Sequence, residues 1–361
     1  MDIEFHYYMT YLIVARAGFN SNDAAVIARA SQGVDDNHVP VSVGRGTPQA
    51  YENVISQTMD ITRPHHDVRI YPIFHFIPGE LASPTAIRKD GRTSPWNTTP
   101  NSPLANEMID MALASKDLYR IGASAHAYCD TWAHQNFLGI EDDFNVVPIE
   151  PGDTSITVEF LDSIAKIGHG PAKHKPDWPG LTWLDGRLKL ENSEVVNRYR
   201  FMDAVRHLFD KFYRYAHANV DEAKLAQEKA YLVTDLTADI GGSDNSNAQV
   251  QARTERYQRR ALTSQYGSTS IPAYAEDAWA NAAFAEKPGT IFTWLDNAMI
   301  QAAGAYGDIV RDGQRAECTW KNPAQFKQTD WYKFEEAIRI HLDECWDLLT
   351  KRIPDAAKLA H

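Results

Sequence analysis

IGASAHAYCDTWAHQNF, residues Ile121 to Phe137, sets His126, Asp130 and His134 four residues apart. The sequence from Asn106 onward is Ala-rich and free of Pro, and Met108, Ile109, Met111, Leu113, Leu118 and Ile121 recur at spacings of three and four, the periodicity of a helix. Each step of four turns about 400°, so the three side chains share an arc of about 80° and rise about 12 Å along the axis. One metal with ligand bonds near 2 Å does not span that row. The spacing therefore predicts two metals, with His126 on one, His134 on the other and Asp130 between them, since a carboxylate has two oxygens with which to bridge. The competing reading is a hydrogen-bonded interior face in which Asp130 pairs with the two imidazoles.

Working outward, the chain of 361 residues is long enough for one large domain, and nine Trp and sixteen Tyr provide a generous aromatic core. No stretch approaches the roughly 18 apolar residues of a membrane helix. Asp2 and Glu4 stand where a secretory signal carries positive charge, so the first segment reads as a structural helix and the expected location is cytoplasmic. Cys129, Cys318 and Cys345 are odd in number and far apart, which argues against a disulfide scaffold or a cysteine zinc site. A net charge of −12 argues against a nucleic-acid partner, whose phosphates require a basic surface. It leaves a phosphoester substrate open, because bound dications reverse the local field.

The expected fold is all-α, a multi-helix bundle with two long irregular loops over the metal site. A first helix spans Phe5 to Ala17, and a second, capped by Ser21, runs from Asn22 to about Gly33 and ends in Asp35-Asp36-Asn37. Two carboxylates at the negative end of a helix dipole are disfavoured by roughly 0.3–1 kcal/mol each, a conflict that a cation would remove. The first loop, 40–102, includes an extended piece from Val68 to Ile77, where His75 between Phe74 and Phe76 is a candidate for a buried imidazole; His65 and His66 read as more exposed. The second, 141–190, carries IGHGPAKHKPDWPGLTW, in which Gly168 and Gly170 free the backbone to bring His169 against another element. Helices are expected over Ser193 to Ala238, where His207 and Asp210 are less favoured ligands, then after the GGSDNSN break at 241–247, and three more from Ile271 to Leu359. The whole reads as one domain, 1–361, with 1–240 as the metal-site core and 241–361 a helical extension packed on it.

The order His6, Asp35 or Asp36, His75, His126-x3-Asp130-x3-His134, His169 resembles the zinc-dependent phospholipase C and single-strand nuclease superfamily. The blocks FHYYMTYLIVARAGF, ASQGVDDN, HAYCDTWAHQNF and IGHGPAKHKPDWPG look more closely still like those of an uncharacterised bacterial helical family. The superfamily resemblance implies a mostly helical protein in which His126, His75 and Asp36 (or Asp35) hold one zinc, Asp130 bridges, and His134 with His169 help hold a second. For the second zinc's carboxylate, Asp177 is favoured over Asp210 because it shares a loop with His169. Two departures stand out: the Asp130 to His134 interval is two residues shorter than the superfamily's, and the chain starts with Met1 where the phospholipases offer a mature Trp amine to a third zinc.

These residues lead to a metal-dependent hydrolase of small-molecule or lipid phosphoesters, with His126, Asp130 and His134 as ligands and the unligated member of Asp35/Asp36 as general base. Tyr7, Tyr8 and Trp132 are candidates for the mouth. Two rival readings are a di-iron or di-manganese oxidase, disfavoured by the lack of paired Glu-x-x-His motifs, and a non-enzymatic metal-stabilised binding protein.

Overall fold

The structure, a computed structural model, describes residues 1–58, 68–81, 83–148, 166–242, 245–285 and 315–358. The chain enters through a π-helical turn, Glu4–Met9, that runs into helix α1, Thr10–Arg16. A π turn accommodates an extra residue and re-aims its side chains; here it buries His6 and Glu4 together. Glu4 is matched by Arg253, whose Nε and Nη2 donate at 2.7 and 2.8 Å from helix α8, Asn247–Ala261. The first and third quarters of the chain are thereby fastened to each other.

Helix α2, Ser21–Asp36, is capped by Asn20, whose side chain accepts from the Asp23 amide, and it continues past Gly33 to include both Asp35 and Asp36. The segment expected to be extended instead forms a short helix α3, Ile70–Phe74, with His75 just beyond it. A single helix from Asn106 to Phe137 is also corrected. Helix α4, Pro103–Ser115, starts on the Ser102 cap with Pro103 in its first turn and stops at Lys116 in the left-handed region (φ 59°). Asp117 then caps α5, Leu118–Ala133, accepting from the amides of Tyr119 and Arg120. Asp immediately before the new helix is the local signal for that restart.

Every residue of α5 from Arg120 to Ala133 is buried. Its neighbours include α2, α3, α4, α6 (Asn197–Ala216) and α10 (Asp330–Arg352). Such all-round burial explains why the helix is rich in Ala and Gly: small side chains let five partners approach. Gly122 is the extreme case, since a Cβ there would lie 2.4 Å from the Ile27 carbonyl oxygen of α2. One hydrophobic cluster extends from Met1 to Ala356 and so includes residues from both sides of 240.

The remaining described helices include α7, Glu222–Ile240, and α9, Ala278–Ala283. The chain is helix-rich but not strictly all-α. β1 (Val41–Val43) pairs antiparallel with β2 (Tyr51–Glu52) and parallel with β5 (Ala316–Cys318), in the register Val41 to Ala316 and Val43 to Cys318. β3 (Thr182–Leu184) and β4 (Glu194–Val196) form a second small sheet. Of the three helices expected from Ile271 to Leu359, α9 and α10 lie among the described residues with β5 between them; residues 286–314 lie outside the described residues, as do His65 and His66. Among the described residues no helix is long and apolar enough to cross a membrane.

Candidate metal centre

Asp130 lies at the centre of a buried cluster assembled from three regions of the chain. Its carboxylate is 3.1 Å from His6 Nε2, 3.4 Å from His75 Nδ1, 3.2 Å from His126 Nε2 and 3.5 Å from His134 Nδ1. His126 and Asp130 are a turn apart on α5, as the spacing predicted. His134 has left the helix and occupies its C-cap (φ −90°, ψ 18°), although its amide still donates to the Asp130 carbonyl at 2.8 Å. That cap residue can therefore turn its ring towards a separate group, with Nε2 at 3.1 Å from Asp177 Oδ1. Asp177 in turn lies 3.4 Å from His169 Nε2.

Among the described residues three sets of ligand atoms result, each mutually within 4.8 Å: His6, His126 and Asp130; Asp35, His75 and His126; and His134, His169 and Asp177. An ion with bonds of 2.0–2.1 Å in tetrahedral geometry separates its ligand atoms by about 3.3 Å. The contacts within the sets bracket that value, from 3.1 Å for His134 to Asp177 up to 3.8 Å for His75 to Asp35. Because one ring nitrogen has one lone pair, His126 Nε2 serves only one of the first two sets at a time.

The hydrogen bonds fix which nitrogen faces inward. A backbone carbonyl only accepts, so the ring nitrogen opposite it must carry the proton. His126 Nδ1 donates to Ser31 O at 2.8 Å, His134 Nδ1 to His75 O at 2.7 Å, His75 Nε2 to Ser56 O at 2.9 Å and His169 Nδ1 to Lys173 O at 2.7 Å. Each imidazole is thus anchored at its outer edge, the outer-shell arrangement common to metal-ligating histidines. Their inner nitrogens then point lone pairs at carboxylate oxygens and, for His126 Nε2 and His75 Nδ1, at each other across 3.2 Å. Lone pair facing lone pair requires a cation between them, either a proton or a metal ion.

Burial disfavours the proton. It pushes His6 down to about 3 and His169 to about 4, and it also lowers His75. Both ring nitrogens of His6 are buried without a hydrogen-bond partner; the 3.1 Å approach to Asp130 lacks hydrogen-bond geometry. Burial alone would raise Asp130, but His134, the Met1 amine, His126 and His6 hold it well below the usual carboxylate range. Asp177 is held low in the same way, chiefly by His169 and the Met1 amine against its burial. The residues present fit a cation site of nitrogen and oxygen donors.

The sequence reading left Asp35 and Asp36 open, and helical geometry separates them. Consecutive residues differ by about 100°, so Asp35 turns to His126 (3.6 Å) and His75 (3.8 Å) while Asp36 turns away. Asp36 accepts from Gln32 Nε2 at 3.1 Å and from the Tyr274 hydroxyl, and burial together with Glu276 pushes it well above the usual range. Asp36 as ligand is therefore set aside, since Asp35 is the member of the pair that faces the cluster. Asp210 is salt-bridged to Lys229 at 2.7 Å, and His207 approaches Asp203, so neither joins the cluster. Tyr7 is buried with its hydroxyl on Pro272 O, and Trp132 is buried with its indole on Asp203. Cys129 is buried, and burial raises its thiol, as befits packing.

What the sequence did not reveal is the Met1 nitrogen, 2.5 Å from Asp130 Oδ1 and 3.4 Å from both His134 Nε2 and Asp177 Oδ1. Burial lowers its basicity, but Asp130, Asp177 and Asp35 outweigh this and raise it to about 11. Gly168 (φ 55°) behaves as read: a Cβ there would lie 2.3 Å from the Phe76 ring, so only Gly lets the loop close on the ring that stacks against His134.

Residues 1–349 match the model described as "Family of unknown function (DUF6765)". The chain belongs to this family. Neither the curated proteins nor the solved structures provide a match. All eight residues of the three ligand sets lie within the span that the family model covers.

Proposed function

We propose that the protein is a metal-dependent hydrolase of phosphoesters, with zinc ions at a site of two or more positions, akin to the phospholipase C and single-strand nuclease superfamily. The observation that carries this reading is the set of four imidazoles, each tied by one N–H to a backbone carbonyl and turned by its other nitrogen towards buried carboxylates. His75, His126 and Asp35 would hold one ion, and His134, His169 and Asp177 another, with Asp130 between them. Such dications supply Lewis acidity towards phosphoryl oxygens and lower the pKa of a bound water.

The chain's own residues define the rest. Asp35 is the carboxylate of the cluster that solvent reaches most, at 27% side-chain exposure against 1% for Asp130, and with one of its oxygens on an ion the other would be our candidate to accept a proton from the attacking water. Asp130 and Asp177, held strongly acidic, remain ligands. The Met1 amine offsets part of their charge.

Elemental analysis of purified protein tests the site, with about two zinc ions per chain expected for a dinuclear centre. Hydrolysis of a nitrophenyl phosphodiester, with His126→Ala inactive, tests the reaction. Iron or manganese in place of zinc would redirect the reading to an oxidase. Full metal occupancy without hydrolysis of any phosphoester would leave a metal-stabilised binding protein, and protein free of metal would overturn both.

A further inference from the structure

Trp132 follows Asp130 by two residues and so projects about 200° from it around α5. On that outer side a cleft of about 650 Å³ opens between the last turn of α5 and the first half of α6, lined by Trp132, Gln135, Arg198, Tyr199, Arg200 and Arg206 among others. Three guanidinium groups in one cleft are notable in a chain with 48 acidic and 36 basic residues. Elsewhere such groups sit on carboxylates: Arg16 on Glu228 at 2.7 Å, Arg187 on Asp185 at 2.7 Å and Arg260 on Asp239 at 2.8 Å.

In the cleft none has a carboxylate at hydrogen-bond distance among the described residues. Arg198 donates to the Gly241 carbonyl and Arg200 to the Ala133 carbonyl at 3.3 Å. Arg206 is 3.7 Å from Asp203, the carboxylate that already accepts the Trp132 indole N–H at 2.7 Å. Tyr199 between them is 72% exposed, and Met202 and Trp132 supply a buried apolar floor.

We propose that this cleft binds a small molecule with an oxyanion group, a phosphate ester in the first instance, through Arg198, Arg200 and Arg206, with its apolar part over Tyr199. Guanidinium groups engage phosphate and carboxylate oxygens in paired, charge-assisted hydrogen bonds, which gives such a cleft both affinity and orientation. The site is distinct from the metal centre, which lies on the inner face of the same helix.

Arginine-specific labelling of the full chain with phenylglyoxal, mapped by peptide mass spectrometry, reads the cleft directly. Phenyl phosphate at millimolar concentration should slow labelling of Arg206, 45% exposed, and leave unchanged Arg45, which is 73% exposed beside Glu317. In a calorimetric titration, the double variant Arg198→Gln with Arg206→Gln should weaken phenyl phosphate binding by about tenfold or more, the loss expected for paired charge-assisted contacts. The circular dichroism spectrum of that variant should match the parent. Equal labelling of Arg206 with and without phenyl phosphate, or undiminished affinity in the folded double variant, would overturn the proposal.

Discussion

Replacing Gly122 by Ala tests the contact that brings α2 and α5 into register. The new Cβ would stand 2.4 Å from Ile27 O, 2.6 Å from Ala30 Cβ and 3.1 Å from Ser31 N. The struck atoms belong largely to backbone, so relief requires the helices to part by about 1 Å at this point. Ala gains about 1 kcal/mol over Gly in helix propensity, whereas overpacking a filled interior costs about 1–3 kcal/mol. Since rigid backbone is involved, the upper end applies, and the net loss is about 1–2 kcal/mol. The same displacement one turn on would stretch His126 Nδ1 to Ser31 O from 2.8 Å beyond hydrogen-bond range. Metal affinity should then fall about 10–100-fold, the usual effect of losing an outer-shell partner. Denaturant unfolding and chelator competition measure the two effects. Gly242→Ala, where nothing lies within 4 Å, is the control and should be close to neutral. A Gly122→Ala protein with unchanged midpoint and unchanged metal affinity would refute the close-packing account of how His126 is positioned.

Asp35→Asn should lower metal occupancy, while Asp36→Asn should leave occupancy intact and cost stability through its contacts with Gln32 and Tyr274, by about 1–3 kcal/mol; elemental analysis paired with thermal unfolding separates them, and the reverse pattern would reassign the ligand. Metal-free protein should lose stability as pH falls from about 6.5 to about 4. In that window the unfolded chain takes up protons that buried His6, His169 and His341, held at about 3, 4 and 3, still refuse. Each such group contributes a slope of up to about 1.4 kcal/mol per pH unit, and a flat stability profile from chemical denaturation across that range would contradict the burial of these rings.

The helix positions of His126 and Asp130 were legible because periodicity records rotation about an axis, and four residues return a side chain to nearly the same face. The helix break at Lys116 was harder to see: Ala, Leu and Met continue the apolar pattern through it, and only the Asp117 cap marks the restart. Val68 to Ile77 reads as extended within a loop-like stretch, but packing against α5 and α10 stabilises a short helix instead, tertiary contacts overriding the local preference of its aromatic and β-branched residues.

By itself the sequence determined that candidate His and Asp ligands recur along the chain, that three of them follow a helical repeat, and that Gly168 leaves room for a close approach beside His169. Tertiary structure alone decided that Asp35 rather than Asp36 enters the cluster, that Asp177 rather than Asp210 completes the second set, and that the Met1 nitrogen sits among the carboxylates. The reason is that these choices depend on distances between segments far apart in the chain. Two helices pressed together at a missing Cβ, and a loop closed over Phe76 at another, set those distances.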